Sequence, residues 1–534
     1  MITDLEKIWK FEVRFDSSNK KYIAILGYLG NDRKINIPKS IYVNYEEINV
    51  TTIENNAFAD CTGLNSITIP FGITSIGDLA FADCTNLTSV TIPSSVASIG
   101  AGAFLDCFSL TSINIPFGVI SIGNSAFCNC SNLASITLPS GLATIGDAIF
   151  SNCSSLTSIT IPSGVAAIGK KAFFRCSILT SVTIPFGVAT IGDEAFVECS
   201  NLGSITLPSG LTSIGYRAFA DCYSLTSVTI PFGVSTIGEE AFSNCGLSSI
   251  IIPSSVAAIG NNAFADCTAL TSITIPASVT LFGKYVFSNC NHLTSANISS
   301  GVTTIGDGAF SGCSSLASIT IPASVTTIGD EAFERCYNLT SITIPASVTT
   351  IGSYVFSGCK NLTSVTISSG VTAIRDGAFS GCQSLTSITI PSGVTSIGSS
   401  AFTDCVGITS ITIPSGVTTI GDDAFERCYN LTTITLPSGL ISIGDEAFFA
   451  CSSITSIIIP ASVTSIGSRA FYKGDYNVYY DNIDIPSAWK NDWKDNFQGK
   501  FYIRSETMPI SKPSDSNIDG YWHYVNGKPE AFIQ

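Results

Sequence analysis

The chain has 534 residues, with 25 Lys and Arg against 40 Asp and Glu and a formal net charge of -15. This acidic balance makes nucleic-acid binding a poor hypothesis, because neutralising phosphates requires clustered cations. The chain has only two histidines, His292 and His523, so no cluster of histidines can hold a metal. A hydrophobic content of 45% with only 12% charged residues is typical of a folded chain and not of a disordered one.

The start of the chain, MITDLEKIWKFEVRFD, is charged and lacks the apolar core of a secretory signal peptide. No later stretch approaches the run of about 20 apolar residues that a membrane helix needs. The sequence therefore predicts neither a signal peptide nor a membrane span. If the protein acts outside the cell, two explanations are open: export by an unusual route, or a start codon assigned downstream of the real one.

Most of the chain is one short unit copied many times. Its cysteines recur every 23 residues from Cys61 to Cys451, with one interval of 22 before Cys267 and one cysteine, Cys128, outside the register. The unit reads L-T-S-I-T-I-P-S-G-V-T-S-I-G-D-x-A-F-x-x-C-x-x. A fixed period of this length predicts a solenoid, in which neighbouring coils bury the faces that one coil cannot bury alone.

Each unit predicts two short strands and a turn. L-T-S-I-T-I is rich in β-branched residues and alternates apolar with hydroxyl side chains, so Ile67 and Ile69 should point inward and Thr68 outward. Pro70 ends this strand because it has no N–H to donate. V-T-S-I-G predicts a second extended piece, and D-x-A-F-x-x-C predicts a single helical or 3₁₀ turn with its Asp as the N-cap.

Stacking of the coils in register should turn each position of the unit into a ladder. The phenylalanines from Phe58 to Phe471 are expected to form a continuous aromatic ladder, with ladders of cysteine and of leucine or isoleucine beside it. Representative members of the two structural ladders are Phe81, Phe104, Phe219, Phe333, Cys84, Cys107, Cys222 and Cys336.

This unit resembles the repeat of the BspA-like, or treponemal-type, leucine-rich repeat family. The resemblance covers about residues 58–471, and the segment from Tyr22 to Asp60 is similar to that family's divergent opening repeat. It implies a right-handed leucine-rich-repeat superhelix with a parallel β-sheet. It also implies a surface or secreted adhesive role, since known members bind host matrix proteins or other cells.

We expect three parts: an N-terminal cap with the divergent first repeat at 1–57, an array of about 18 repeats at 58–471, and an aromatic C-terminal cap or tail at 472–534. All four tryptophans lie outside the array. Solenoid ends expose strand edges and core, which invites aggregation unless they are capped. The run Tyr521-Trp522-His523-Tyr524 is alternatively a ligand-binding or wall-binding element.

The cysteine ladder allows three interpretations. Buried free thiols that act as small hydrophobic side chains are favoured. Disulfides between adjacent coils are disfavoured, because in-register Cβ vectors run parallel and leave the Cβ atoms too far apart. Metal binding is also disfavoured, because a straight row of thiols cannot surround a tetrahedral ion.

Acidic residues recur at one position of the unit, which favours a solvated acidic edge, since a catalytic pair would occur once. The pairs include Asp193-Glu194, Glu239-Glu240, Asp330-Glu331, Asp422-Asp423 and Asp445-Glu446. The functional alternative is weak binding of divalent cations along this edge. The sequence has no Walker A, H-E-x-x-H or G-x-S-x-G motif, so it predicts no catalytic residue, cofactor or metal site.

Two sets of exposed side chains are candidate partner-binding residues. The first is a threonine row on the strand face, which we expect to be concave: Thr137, Thr160, Thr183, Thr206 and Thr229. The second is a set of aromatic anchors after the proline of the unit: Phe71, Phe117, Phe186 and Phe232. The alternatives are that the threonines are a soluble, β-favouring filler and that the phenylalanines reflect neutral drift at an exposed turn.

Together these features predict a non-enzymatic adhesion or interaction protein, on the cell surface or secreted, that binds a protein or a glycan through the solenoid. The expected partner is a matrix or cell-surface glycoprotein or a glycan, with no nucleic acid and no membrane span. The alternative is an intracellular, cytoplasmic scaffold, which the absence of a visible signal peptide favours. The sequence fixes no oligomeric state.

Overall fold

The computed structural model describes residues 8–506, 518–525 and 528–532. The chain divides into two compact units, Met1–Thr268 and Ala269–Gln534. Each unit is a solenoid of short parallel strands with a period of about 23 residues, which confirms the predicted fold. Parts of the two expected caps, at 1–7, 507–517, 526–527 and 533–534, lie outside the described residues.

In the first unit each coil contributes a first strand, from S-I-T, and a second strand, from S-I or its equivalent. The first strands are Lys34–Asn36, Ser66–Thr68, Ser89–Thr91, Ser112–Asn114, Ser135–Thr137, Ser158–Thr160, Ser181–Thr183, Ser204–Thr206, Ser227–Thr229 and Ser249–Ile251. The second strands are Glu46–Ile53, Ser75–Ile76, Ser98–Ile99, Ser121–Ile122, Thr144–Ile145, Ala167–Ile168, Thr190–Ile191, Ser213–Ile214, Thr236–Ile237 and Ala258–Ile259. Three further strands precede or adjoin them: Trp9–Phe15, Lys21–Tyr28 and Ser40–Val43.

The second unit repeats this arrangement. Its first strands are Ser272–Ile275, Ser295–Ile298, Ser318–Thr320, Ser341–Ile344, Ser364–Ile367, Ser410–Thr412, Thr433–Thr435 and Ser456–Ile459. Its second strands are Leu281–Phe282, Thr304–Ile305, Thr327–Ile328, Thr350–Ile351, Ala373–Ile374, Ser396–Ile397, Thr419–Ile420, Ser442–Ile443 and Ser465–Ile466. The strands Asn477–Tyr480, Phe501–Arg504, Gly520–Val525 and Lys528–Ala531 follow.

Equivalent residues of adjacent coils pair directly, so the register is that of the sequence repeat. Ser158 pairs with Ser181, and Thr160 pairs with Thr183 in the same parallel ladder. Along these strands the central isoleucine or valine is buried, while the serine and threonine on either side are exposed. The predicted inward and outward directions are therefore confirmed.

The D-x-A-F-x-x-C segment forms consecutive turns, so the prediction of a helical or 3₁₀ turn is wrong for the described residues. Alternate amides of the segment donate to the next coil instead of to their own: Leu79 N donates to Ala101 O and Phe81 N to Ala103 O, both at 2.8 Å. Two residues per coil are left-handed, such as Leu79 with φ 53° and Asp83 with φ 59°. This backbone is incompatible with a continuing right-handed helix.

The aspartate that opens this segment also acts between coils. Asp78 Oδ1 accepts a hydrogen bond from Ala101 N at 2.7 Å, where a helix N-cap would bind an amide of its own turn. Asp147, Asp330 and Asp445 make the same contact with the coil that follows. The predicted N-cap is therefore a link between coils.

The predicted aromatic ladder is present in both units. In the first unit ten rings from Phe58 to Phe264 stack with centroid separations of 5.0–5.8 Å. In the second, nine rings from Phe287 to Phe471 stack at 5.3–5.7 Å. These separations lie in the favourable range for offset-stacked rings.

Different aromatic contacts occur where each ladder ends. Trp9 packs edge-on against Phe58 at 6.1 Å in the first unit. In the second unit Phe471 meets Trp493 edge-on at 5.7 Å. The strand Lys21–Tyr28 pairs antiparallel with Trp9–Phe15 and parallel with Glu46–Ile53, so these N-terminal strands extend the sheet of second strands. The terminal phenylalanine at each of these two ends therefore packs against a tryptophan.

The cysteine ladder runs beside the phenylalanines, and its cysteines are free thiols. Most of these thiols donate a weak hydrogen bond to the phenylalanine carbonyl of the preceding coil, as in Cys84 to Phe58 O at 3.1 Å and Cys222 to Phe196 O at 3.2 Å. Cys107 and Cys336 make the same contact. The sequence did not reveal this role, because nothing in the repeat shows which carbonyl lies opposite the sulfur.

We predict that Phe219→Ala lowers the free energy of unfolding by about 3–5 kcal/mol, because the ring is fully buried. Phe232→Ala is the matched control: it makes the same change where the ring is 73% exposed, and should alter stability by less than about 0.5 kcal/mol. Urea denaturation followed by circular dichroism measures both. A loss below about 1 kcal/mol for Phe219→Ala would contradict a buried aromatic ladder.

We also predict that stability falls as pH rises above the ordinary thiol pKa. Burial raises the pKa of Cys359 and of Cys428 to about 12, whereas an unfolded thiol ionises near pH 8.5. Between those values the folded state holds a proton that the unfolded state has lost. Each such thiol should therefore cost about 1.4 kcal/mol of stability per pH unit.

The measurement is urea denaturation from pH 8 to 10.5 in the presence of a phosphine reductant. Cys359→Ala should reduce the slope of unfolding free energy against pH by about 1.4 kcal/mol per unit relative to the parent chain. Lysine and tyrosine ionise equally in both proteins, so the difference isolates the thiol. Identical slopes would show that Cys359 is not held protonated by the fold.

Candidate interaction surface

The threonine row of the first unit is a single in-register ladder over four coils. Thr160, Thr183, Thr206 and Thr229 pair in sequence and all are exposed. Since neighbouring strands of a sheet lie about 4.8 Å apart, the hydroxyls recur at that spacing. Exposed serines two residues earlier form a second row beside them. The surface thus presents two parallel rows of groups that both donate and accept hydrogen bonds.

The ends of the row differ from its middle. Thr137 belongs to a neighbouring two-stranded ladder, in which it pairs with Asn114. Beyond Thr229 the next position is Ile251, whose side chain is 80% exposed. A shallow groove of about 370 Å³ runs along Ser135–Thr137 and Ser158–Thr160.

The strand face around this row carries no formal charge. In the five coils from Cys130 to Gly238, no Asp, Glu, Lys or Arg lies between a cysteine and the glycine that precedes the D-x-A-F segment. The charges lie in the turn segments, where they pair between coils, as in Lys170 with Asp193 at 3.1 Å and Arg175 with Glu198 at 3.0 Å. A partner on the strand face therefore meets hydroxyl groups and no ionic groups.

The four predicted aromatic anchors are exposed. Phe71, Phe117, Phe186 and Phe232 have 71, 82, 79 and 73% of their surface accessible. Each follows the proline that ends a first strand, three residues after the outward residue of that strand. They occur two, three and two coils apart along the chain. The rings therefore line the edge of the strand face at intervals, and isolated exposed aromatic residues of this size favour interfaces.

The acidic positions are partly structural. The first carboxylate of most acidic pairs accepts a backbone N–H from the next coil, as Asp193 does from Tyr216 at 3.0 Å and Asp422 from Asp445 at 2.8 Å. This hydrogen bond between coils was not predicted from the sequence. The recurrence of Asp or Asn at one position of the repeat was the signal that could have indicated it. Among the described residues no group of His, Cys, Asp or Glu has an arrangement that could hold a metal ion.

At the C-terminal end of the second unit the strand face becomes aromatic. Ile458 takes the position of the threonine and pairs with Tyr479, which in turn pairs with Tyr502. Trp522 is fully buried against these rings and donates a hydrogen bond from Nε1 to Tyr480 O at 2.9 Å. Its neighbour Tyr524 stays 44% exposed. The run from Tyr521 to Tyr524 therefore combines a buried anchor with an accessible ring.

In the part of the chain that the structure describes, no helix has the length and apolar character needed to cross a bilayer.

Several solved structures are similar to this chain. A leucine-rich repeat protein from Bacteroides ovatus is 24% identical with a TM-score of 0.50, covering 92% of this chain and 98% of its own. A leucine rich cell surface protein from Faecalibacterium prausnitzii is 28% identical, with a TM-score of 0.32 and coverage of 79% and 92%. The leucine-rich repeat protein of T. pallidum is 29% identical, with a TM-score of 0.34 and coverage of 36% and 87%.

No curated protein matches the sequence significantly. The family model for the BspA type leucine rich repeat region, which spans six copies of the repeat, matches residues 36–154, 121–247, 235–363 and 349–478. These overlapping matches run through most of the chain and coincide with the coils described above. The similarity to the Bacteroides ovatus structure confirms the fold, and the family-model matches identify the type of repeat. The chain therefore belongs to the BspA-type leucine-rich repeat family.

Proposed function

We propose that this protein is a non-enzymatic adhesion protein that works on the cell surface or after secretion. It binds a protein or glycan partner through the strand face of its first unit. The observation that carries this proposal is the uncharged double row of hydroxyl groups centred on Thr160, Thr183, Thr206 and Thr229. Membership of a leucine-rich repeat family is consistent with a role in protein interaction.

The repetition of the row suits a partner that is itself extended. A uniform ladder offers the same hydrogen-bonding groups at every coil, so several weak contacts to one long ligand add as avidity. In this proposal Phe186 and Phe232 provide apolar anchors at one edge of the row, and Phe71 and Phe117 continue that edge on the coils before it. A matrix glycoprotein or a glycan chain has both the length and the polar groups for such contacts.

The ends of the solenoid have a supporting role in the same proposal. The N-terminal strands and the aromatic C-terminal segment cap the core, so a long array stays soluble while its strand face remains free. The surface role is supported by the family's usual adhesive function.

The test is a triple substitution, Thr160→Lys with Thr183→Lys and Thr206→Lys, assayed against immobilised matrix glycoproteins and a glycan array. We expect the parent chain to bind at least one of these probes and the variant to lose at least tenfold in affinity, about 1.4 kcal/mol. Long lysines block the row, while the buried residues beneath it are unchanged. Since the row is uncharged, binding by the parent should vary little between low and high salt.

The control places the same three charges on the second strands, at Thr144, Thr190 and Thr236, which are also exposed threonines of the first unit. This control should bind like the parent, with the same circular dichroism spectrum. Replacing Phe186 and Phe232 by serine should also weaken binding. Equal binding by the parent and the Thr160, Thr183 and Thr206 variant would show that the partner does not use the strand face.

A further inference from the structure

Two antiparallel strands at the end of the second unit form a wall beside its strand face. The strands Gly520–Val525 and Lys528–Ala531 form an antiparallel pair in which Trp522 lies opposite Ala531. Buried Trp522 packs against Tyr479 at 5.4 Å, and Ile458 and Ala531 pack against the same cluster. The pair of strands is therefore fixed against the strand face and closes one end of it.

A cavity of about 600 Å³ lies between this wall and the hydroxyl-bearing strands before it. Its apolar lining is Ile434, Leu436, Ile458, Pro460 and Pro529, and its polar lining is Thr433, Thr435, Ser438, Thr455, Ser456, Asp481, Tyr524 and Lys528. Both the volume and the mixture of an apolar floor with convergent polar groups are typical of small-ligand sites.

Contacts outside the cavity hold two of its polar residues in place. Arg504 donates to Asp481 Oδ1 at 2.9 Å, and its guanidinium lies over the ring of Tyr524, 5.6 Å from the centroid. Trp522 packs against the same ring at 4.8 Å. The carboxylate and the aromatic ring are thus positioned before any ligand arrives, which lowers the entropic cost of binding.

The lining carries one carboxylate, Asp481, and one ammonium group, Lys528. Arg504 pairs with Asp481 at 2.9 Å and also lies 4.0 Å from Glu506, whereas Lys528 is exposed and makes no ion pair among the described residues. Lys528 therefore leaves a local positive charge at the cavity, on a chain whose net charge is -15. A ligand with a carboxylate gains from this arrangement.

We propose that this cavity binds an acidic sugar, such as the terminal uronic or sialic acid of a glycan. The ring of Tyr524 and the apolar floor accept the C–H faces of the sugar. Hydroxyls of Thr435 and Ser438, with the Asp481 carboxylate, bond to its hydroxyl groups, and Lys528 binds its carboxylate. A sugar fits better than an extended peptide, because the lining presents side-chain hydroxyl groups, one carboxylate and an aromatic ring.

This site lies in the second unit and is independent of the threonine row proposed for the first. Isothermal titration calorimetry of the full chain tests it with methyl glycosides of glucuronic, galacturonic and N-acetylneuraminic acid, beside methyl glucoside and methyl galactoside. At low salt we expect at least one acidic sugar to bind about fivefold more tightly than its neutral counterpart. The ratio of the two affinities should fall when the titration is repeated in about 0.5 M NaCl, because salt screens exposed charges.

Variants separate the contributions. Lys528→Gln should remove the preference for the acidic sugar, and Tyr524→Ala should abolish binding of both kinds. The matched controls are Lys360→Gln and Tyr337→Ala, at exposed positions of the same unit away from the cavity. The Thr160, Thr183 and Thr206 variant should keep full sugar binding, so failure of one proposal is distinguishable from failure of the other.

Absence of saturable binding for every sugar would overturn the proposal. So would binding that survives both Tyr524→Ala and Lys528→Gln with the folded spectrum intact, since the site would then lie elsewhere. An acidic peptide of glutamates that binds the cavity while all acidic sugars fail to compete would assign it to a peptide ligand instead.

Discussion

Contact between equivalent residues of adjacent coils is the constraint on which each unit depends. The amide of Phe81 bonds to Ala103 O, the ring of Phe81 stacks on Phe104, and the thiol of Cys107 reaches Phe81 O. The ring stacking requires a phenylalanine at the same position of the next coil, and the two hydrogen bonds require the neighbouring backbone in the same register. A coil therefore has little to bury or bond alone, and the sequence must repeat closely for the fold to persist.

The same register builds the surface. Because every coil pairs in step, the outward threonines align without any contact of their own, and charged residues align in the turn segments. In the five coils from Cys130 to Gly238 the turn segments are thereby ionic and the strand face is uncharged. Where the repeat changes, the surface changes with it: Ile458 and Tyr479 replace the hydroxyl row in the second unit and support the wall of the cavity.

Much of this architecture could be predicted from the sequence, since the period, the direction of Thr68 and the ladder through Phe219 follow from periodicity alone. The conformation of the D-x-A-F-x-x-C turn could not be predicted. In the sequence alone Asp78 has the pattern of a helix N-cap, and only the structure shows that its carboxylate accepts the amide of Ala101 in the next coil. The cavity could not be predicted either. Its residues Thr435, Asp481 and Tyr524 are far apart in the chain, and the pairing of the last strands and the burial of Trp522 bring them together.

In the proposed function the array displays its strand face to a partner outside the cell, and the location of the protein tests that most directly. Antibodies raised against residues 58–471 would be applied to intact cells that make the protein, before and after treatment with an external protease. We expect surface labelling that the protease removes, with a cytosolic marker untouched. Labelling that appears only after the cells are opened, with the protein intact after protease, would contradict it.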